Sequence, residues 1–170
     1  MLDSIVRHLH QSNVPFRLAS YPSPEREPHP GHPLPPRSVL LDVHVVSVDG
    51  RLVLACVRDG DVLDLAAIGN ELGGAAVEAP PDALPVALVP YADTLPPLGN
   101  LLRMPLVVDD VVESCVMVVF RGFSYTDYFE VPFDDFAVLE QPRIASFARA
   151  GELEEARPMR NGPRPGASKP

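Results

Sequence analysis

Apolar residues recur at Leu2, Ile5, Val6 and Leu9, the i, i+3, i+4, i+7 spacing of one helix face. The pattern predicts a helix over Leu2–Gln11, capped by Asp3 or Ser4 and closed by "SNVP" before Pro15. "PFRLAS" then reads as a brief strand. The clearest pattern follows in "SVLLDVHVVSVDGRLVLACVRDGDVLDL", where two β-branched, apolar runs flank "VDGR". Asp-Gly is a strong hairpin signal, because a two-residue type I′ turn needs positive φ at both positions. A second Asp-Gly, in "RDGD", ends the second run. "LDLAAIGNELGG" next predicts a helix carrying Leu63, Leu65, Ile68 and Leu72, stopped by a glycine pair.

Further along, "MPLVVDD", "SCVMVVFRG" and "YTDYFEVP" predict strands. "PFDDFAVLEQP" predicts a short helix with Asp134 or Asp135 in its first turn, where the helix dipole favours a carboxylate. Prolines break "VEAPPDALPVALVPYADTLPPLGN" into short irregular pieces. They also make "YPSPEREPHPGHPLPP" (Tyr21 to Pro36) an extended loop. After Phe147 the chain turns polar, partly helical at most, and its last dozen residues are of low complexity. Helices and strands in this order predict an α+β fold around one mixed sheet. No Gly-rich phosphate loop, dinucleotide fingerprint or internal repeat is present.

Composition narrows this picture. With 170 residues and 46% hydrophobic content, the chain can bury one good core. The expected organisation is one domain over 1–147 and a polar, disordered tail over 148–170. No apolar run approaches the roughly 18 residues of a membrane span, so a cytoplasmic protein is expected. Cys56 and Cys115 lie inside apolar runs and read as reduced packing residues. The net charge of −9 is segregated: four arginines against seventeen acids between Ser38 and Gln141 give −13 there. The termini are +1 up to Arg37 and +3 from Pro142. An acidic middle repels phosphate backbones, which argues against a broad nucleic-acid grip and against DNA as a partner. The only lysine, Lys169, is next to the last residue, so the domain must manage without an ordered lysine.

Candidate chemistry is sparse. His29 and His32 are spaced H-x-x-H but no third ligand converges in sequence, so no metal is expected. None of the serines sits in a G-x-S-x-G elbow. Asp109-Asp110 reads as a cap or turn, and no nucleophile–base pair stands out. "LPPLGNLLRMPLVVDD" differs: two prolines and a glycine between apolar runs make a stiff loop whose backbone N–H groups can face a ligand.

The ordered set of these segments, from Leu2 to Phe147, resembles the YbaK/ProX-like aminoacyl-tRNA deacylases, editing domains related to the insertion domain of prolyl-tRNA synthetase. The likeness rests on "RSVLLDVHVVSVDGRLVLACV", "DVLDLAAIGNELGG", "LPPLGNLLRMPLVVDD" and "VMVVFRGFSYTDYFEVPFDDFAVLEQPRIASF". It implies a mixed, barrel-like sheet surrounded by helices. It also implies hydrolysis, in trans, of the ester of a misacylated tRNA, with no cofactor and no metal. The family's lysine position is held by Arg37, which would be the catalytic or substrate-holding cation. Pro96, Pro97, Leu98, Gly99, Asn100 and Gly122 would line the pocket, and misacylated tRNA would be the partner. Arg37 in place of lysine, and Asp93 near the family's glycine ahead of the paired prolines, leave a second expectation. This is an inactive family member acting as a small-ligand or protein-binding regulatory module.

Overall fold

The computed structural model describes residues 1–20 and 36–151. The proline loop to Pro35, with His29 and His32, and the tail from Glu152 onward lie outside the described residues. The fold is α+β: a large mixed sheet flanked by helices.

Helix α1 (Leu2–Gln11) forms where the spacing predicts and buries Ile5 and Leu9 completely. Its start differs from expectation. Met1 is the N-cap residue, and the Ser4 hydroxyl donates to the Met1 carbonyl instead of capping the N–H groups. Strand β1 (Arg17–Ser20) comes next, then β2 (Ser38–Val48) and β3 (Arg51–Arg58), the predicted hairpin. Asp49 and Gly50 at its turn have φ of 49° and 84°, the left-handed pair that the Asp-Gly signal implies. Short β4 (Val62–Leu63) leads into α2 (Leu65–Leu72). The Asp64 side chain caps α2 by accepting from Ala67 N–H, and Gly73 ends it at φ 73°.

The remaining strands are β5 (Ala76–Glu78), β6 (Leu106–Asp109), β7 (Met117–Arg121), β8 (Asp127–Pro132), β9 (Arg143–Ala145) and β10 (Ala148–Arg149). Helices α3 (Gly99–Leu102) and α4 (Phe133–Glu140) complete the set. The strand order is β1-β8-β7-β2-β3-β6-β9, with β5 also paired to β2. β2/β7, β3/β6 and β6/β9 are parallel and the other pairs antiparallel, so the sheet is mixed. The chain past Phe147 is not helical where described: Ala148 and Arg149 pair with Leu63 and Val62, and Arg149 Nε donates to Asp64 at 2.9 Å. Asp109 does cap a turn, as its sequence context implies. Its buried carboxylate accepts from Val111, Phe147 and Ala148 N–H groups.

Side chains alternate across a strand, so β2 sends one set to each face. Val39, Leu41, Val43 and Val45 pack into the main core with α1, α3, α4 and the rings of Phe120 and Phe129. On the other face Val46 and Val48 join a second core under Ile68 and Phe147, while Leu40 packs with Val119 and Tyr128. Between these two apolar clusters, on the same face, stand Asp42 and His44.

Candidate functional site

Strand β2 has β3 along one edge from Leu41 to Val48. Its other edge pairs with β7 over Ser38–Leu40 and with β5 over Val46–Val48, and Ala79 N–H donates to the Val45 carbonyl. Between those two neighbours, among the described residues, no strand covers the edge of β2. A cleft of about 300 Å³ opens there, lined by Asp42 to Val45 of β2, by Glu78 and Ala79, and by Ala92 and Asp93 opposite. Backbone groups of a strand alternate between its two edges, so Val43 turns its N–H and C=O to the same side as Val45, into this gap. The volume is at the small end of ligand clefts, roughly 300–1,000 Å³.

The charged groups come from three elements. Asp42 and His44 share a face because they are two residues apart on a strand. Their contact, Nε2 to Oδ2, is 3.2 Å. It is an ion-pair approach rather than a well-directed hydrogen bond, since the buried Nε2 atom has no aligned acceptor. Glu78 of β5 brings Oε1 to 3.8 Å from His44 Nδ1. Asp93 lies in a short 3-10 helix, Val89–Thr94, where the Tyr125 hydroxyl donates to its Oδ2 at 3.1 Å. That helix is held by the edge-on ring contact of Tyr91 with Phe123 at 5.5 Å and by Phe123 N–H donating to the Thr94 carbonyl.

These neighbours move the protonation equilibria in opposite directions. His44 is held above the ordinary imidazole range, first by its contact with Asp42, partly offset by burial, with further help from the charges of Asp42 and Glu78. Asp42 is held below the usual carboxylate range, first by His44, against desolvation, with Arg121 and the Val43 N–H contributing. Arg121 of β7 also lies 5.8 Å from the Tyr128 ring centroid. No arginine or lysine lines the cleft among the described residues.

The residues anticipated from sequence are distributed differently. Arg37 is exposed at the mouth of β2, at φ 59°, and its carbonyl accepts from Val116 N–H. It does not line the cleft. Pro96, Pro97, Leu98 and Gly99 are buried, with Leu98 in the main core. Asn100 is exposed but anchored: its N–H donates to Glu140 Oε2 and its Nδ2 to the Leu139 carbonyl. Gly122 is buried against Phe129, where a Cβ would come within 2.5 Å of the ring. Asn100 thus ties α3 to the end of α4, and none of these residues lines this cleft. Asp42, His44 and Glu78 were not singled out from the sequence; Asp93 was, for its place ahead of the paired prolines. The signal available was a polar pair, Asp42 and His44, at alternate positions in an otherwise apolar strand. The cysteines are free, and burial pushes the Cys56 thiol far up, which leaves it inert. No group of three or more metal-ligating side chains occurs among the described residues. No helix there is long and apolar enough to cross a membrane.

Neither a protein-family model nor a curated protein sequence matches the chain. Solved structures do. The chain is similar to a proposed signal transduction protein from Marinobacter aquaeolei VT8, with a TM-score of 0.66 and 24% identity over 86% of this chain. It spans only 30% of that protein's length. It is also similar to a proposed trans-editing enzyme for prolyl tRNA synthetase, with a TM-score of 0.64 and 14% identity over 87% of this chain and 96% of that one. A scaffold protein used for epitope backbone grafting matches with a TM-score of 0.69 and 13% identity over the same shares. At these identities the similarities show the fold, one shared with a protein assigned to trans-editing.

Proposed function

We propose that this chain is an aminoacyl-tRNA deacylase of the YbaK/ProX kind, which hydrolyses the ester of a misacylated tRNA in trans. One observation carries the reading: the small cleft at the uncovered edge of β2 joins a carboxylate–imidazole pair to main-chain groups of β2, with Pro81, Leu84, Ala92 and Asp93 also lining it. Such a site can position an ester and a water without a covalent nucleophile. The aminoacyl α-ammonium suits the carboxylates of Glu78 and Asp93. The RNA phosphates, which those carboxylates repel, stay outside.

Arg37 serves as the RNA anchor in this reading. It stands five residues before Asp42, at the mouth of the same strand, about 17 Å away at roughly 3.3 Å per residue. It therefore reaches the 3′-terminal nucleotides rather than the reacting ester. The loop Pro96–Asn100 and Gly122 then act by holding the walls in place. Ester hydrolysis of this type calls on no metal or organic cofactor.

A panel of mischarged tRNAs, incubated with the wild type, Arg37→Lys and Arg37→Ala, tests the proposal. Release of at least one amino acid by the wild type is expected, with a raised KM for Arg37→Ala and near-normal behaviour for Arg37→Lys. Failure to release any amino acid from the panel overturns it. The position of Arg37 off the cleft supports one rival, a binding module without chemistry. That rival predicts that a non-hydrolysable aminoacyl-adenosine binds while no tRNA is deacylated.

A further inference from the structure

We propose that His44 is the general base of the cleft, held in place by Asp42, which acts as a positioning residue. The assignment rests on the deacylase reading for its substrate, and on the geometry of β2 for its residues. Strand alternation puts Asp42 and His44 side by side, with Nε2 buried against Asp42 Oδ2 at 3.2 Å. The nearby Asp42 charge favours the neutral tautomer with its proton on Nε2, which leaves the Nδ1 lone pair free. Nδ1 faces the Glu78 side of the cleft, 3.8 Å from Oε1. That separation is too long for a direct hydrogen bond, so the Nδ1 lone pair stays open to a water from the cleft.

The step balances with water as the co-reactant. Nδ1 accepts a proton as the water oxygen forms its bond to the acyl carbon, and the carbonyl oxygen takes the negative charge. The bond from acyl carbon to ribose oxygen then breaks. The imidazolium returns its proton to the leaving oxygen, giving a free amino acid and a tRNA hydroxyl. Asp42 keeps its charge throughout and stabilises the imidazolium.

The groups facing His44 are Asp42 on its own strand, Glu78 on β5 and Asp93 across the cleft, with Arg121 acting through Asp42. Asp42 and Glu78 are carboxylates in contact with the ring, so each favours the protonated imidazole. The base must be neutral to work, and the rate therefore rises with pH through a value above the ordinary imidazole range. Removing the Asp42 charge brings that limb down, and removing the Glu78 charge brings it down less.

The test measures kcat/KM against pH for the wild type, His44→Gln, Asp42→Asn and Glu78→Gln. Substrates are the mischarged tRNA panel and a 3′-aminoacyl adenosine. Expected results are a loss of at least about 100-fold for His44→Gln and a downward shift of the acidic limb in both carboxylate variants. Thermal unfolding checks that His44→Gln is folded; if it is not, the pH profiles of the two carboxylate variants decide. Deacylation that survives His44→Gln within threefold, or limbs that do not move, overturns the base assignment and leaves the deacylase reading standing. Cleavage of the adenosine ester but of no tRNA, with the expected variant pattern, supports the base assignment and sinks the tRNA reading. Cleavage of neither substrate overturns both.

Discussion

Two histidine–carboxylate contacts of similar length, among the described residues, stand in opposite surroundings. In the first, His8 Nε2 meets Glu140 Oε1 at 3.0 Å, and Glu140 Oε2 accepts from the Asn100 N–H at 2.9 Å. The Glu140 side chain is fully buried, so one carboxylate ties α1, α3 and α4 together with both oxygens used. In the second, Asp42 and His44 stay about one-third exposed, meet at 3.2 Å off-axis, and border a cleft. A buried polar group with every partner in place is structural, whereas a pair left partly unmet beside a cavity is available for a ligand. Pairing alone does not mark a site; what the pair leaves unsatisfied does.

The largest effect should come from cutting the structural contact. Glu140→Ala removes a buried carboxylate, opens a void and strands the Asn100 N–H, a combination expected to cost about 3 kcal/mol. Chemical denaturation measures it directly. The matching cut at the cleft, Asp42→Ala, should cost less than about 1 kcal/mol, because water can take over for a part-exposed carboxylate. Equal losses at the two positions would erase the distinction. Next in size is Gly122→Ala. Its Cβ would lie 2.5 Å from Phe129, whose ring is stacked on Phe120 at 5.7 Å, and 3.3 Å from Leu2, so the wall has little freedom to yield. Overpacking of this kind costs about 2 kcal/mol. A Gly122→Ala protein as stable as wild type, but with an altered cleft, would move Gly122 from core to site.

Much of the fold was legible in the sequence because its signals are local. The Asp-Gly turn, the 2-residue alternation of β2 and β3, and the 3.6-residue spacing of α1 each fit within a dozen residues. β5, β9 and β10 were not, because each has only two or three residues and exists by pairing with a distant strand. The cleft was half legible for the same reason. Asp42 and His44 interrupt an apolar strand visibly, but Glu78 and Asp93 join the cleft from β5 and a proline-rich segment with no periodicity. The paired prolines and glycine of the Pro96–Asn100 loop read as a ligand-facing wall. In the structure Leu98 packs in the core and Asn100 is fastened to Glu140 and Leu139.

Arg37 extends the comparison to the start of β2. It is exposed and sits at φ 59°, a left-handed backbone that costs a non-glycine residue roughly 1 kcal/mol. Arg37→Gly should therefore leave the fold as stable as wild type or up to about 1 kcal/mol more stable, while RNA affinity falls and loses part of its salt dependence. Strain kept at an exposed position without gain to the fold is what a binding residue predicts. An Arg37→Gly variant that is destabilised, with unchanged RNA affinity, would make Arg37 a structural residue.

The smallest effect is the most specific to the cleft pair, and it lies in the pH dependence of stability. The folded-state value of His44 is raised above the ordinary 6.5, so its contribution is fully present below about pH 6.5 and disappears as pH rises through the raised value. Asp42 is lowered from 3.8, so its contribution is fully present above about pH 4 and disappears as pH falls through the lowered value. The pair thus stabilises most between about pH 4 and 6.5. Solvent screening of two part-exposed groups holds the total to about 1 kcal/mol or less. Urea unfolding of the wild type and Asp42→Asn at pH 5.5 and pH 8.5 isolates it: the stability difference between the two proteins should shrink at the higher pH. The buried Glu140 contact offers the control, since Glu140→Ala should cost far more than the cleft pair at both values. A difference between wild type and Asp42→Asn that does not change with pH would mean that Asp42 does not hold the imidazole, and the contrast between the two histidine–carboxylate contacts would reduce to burial.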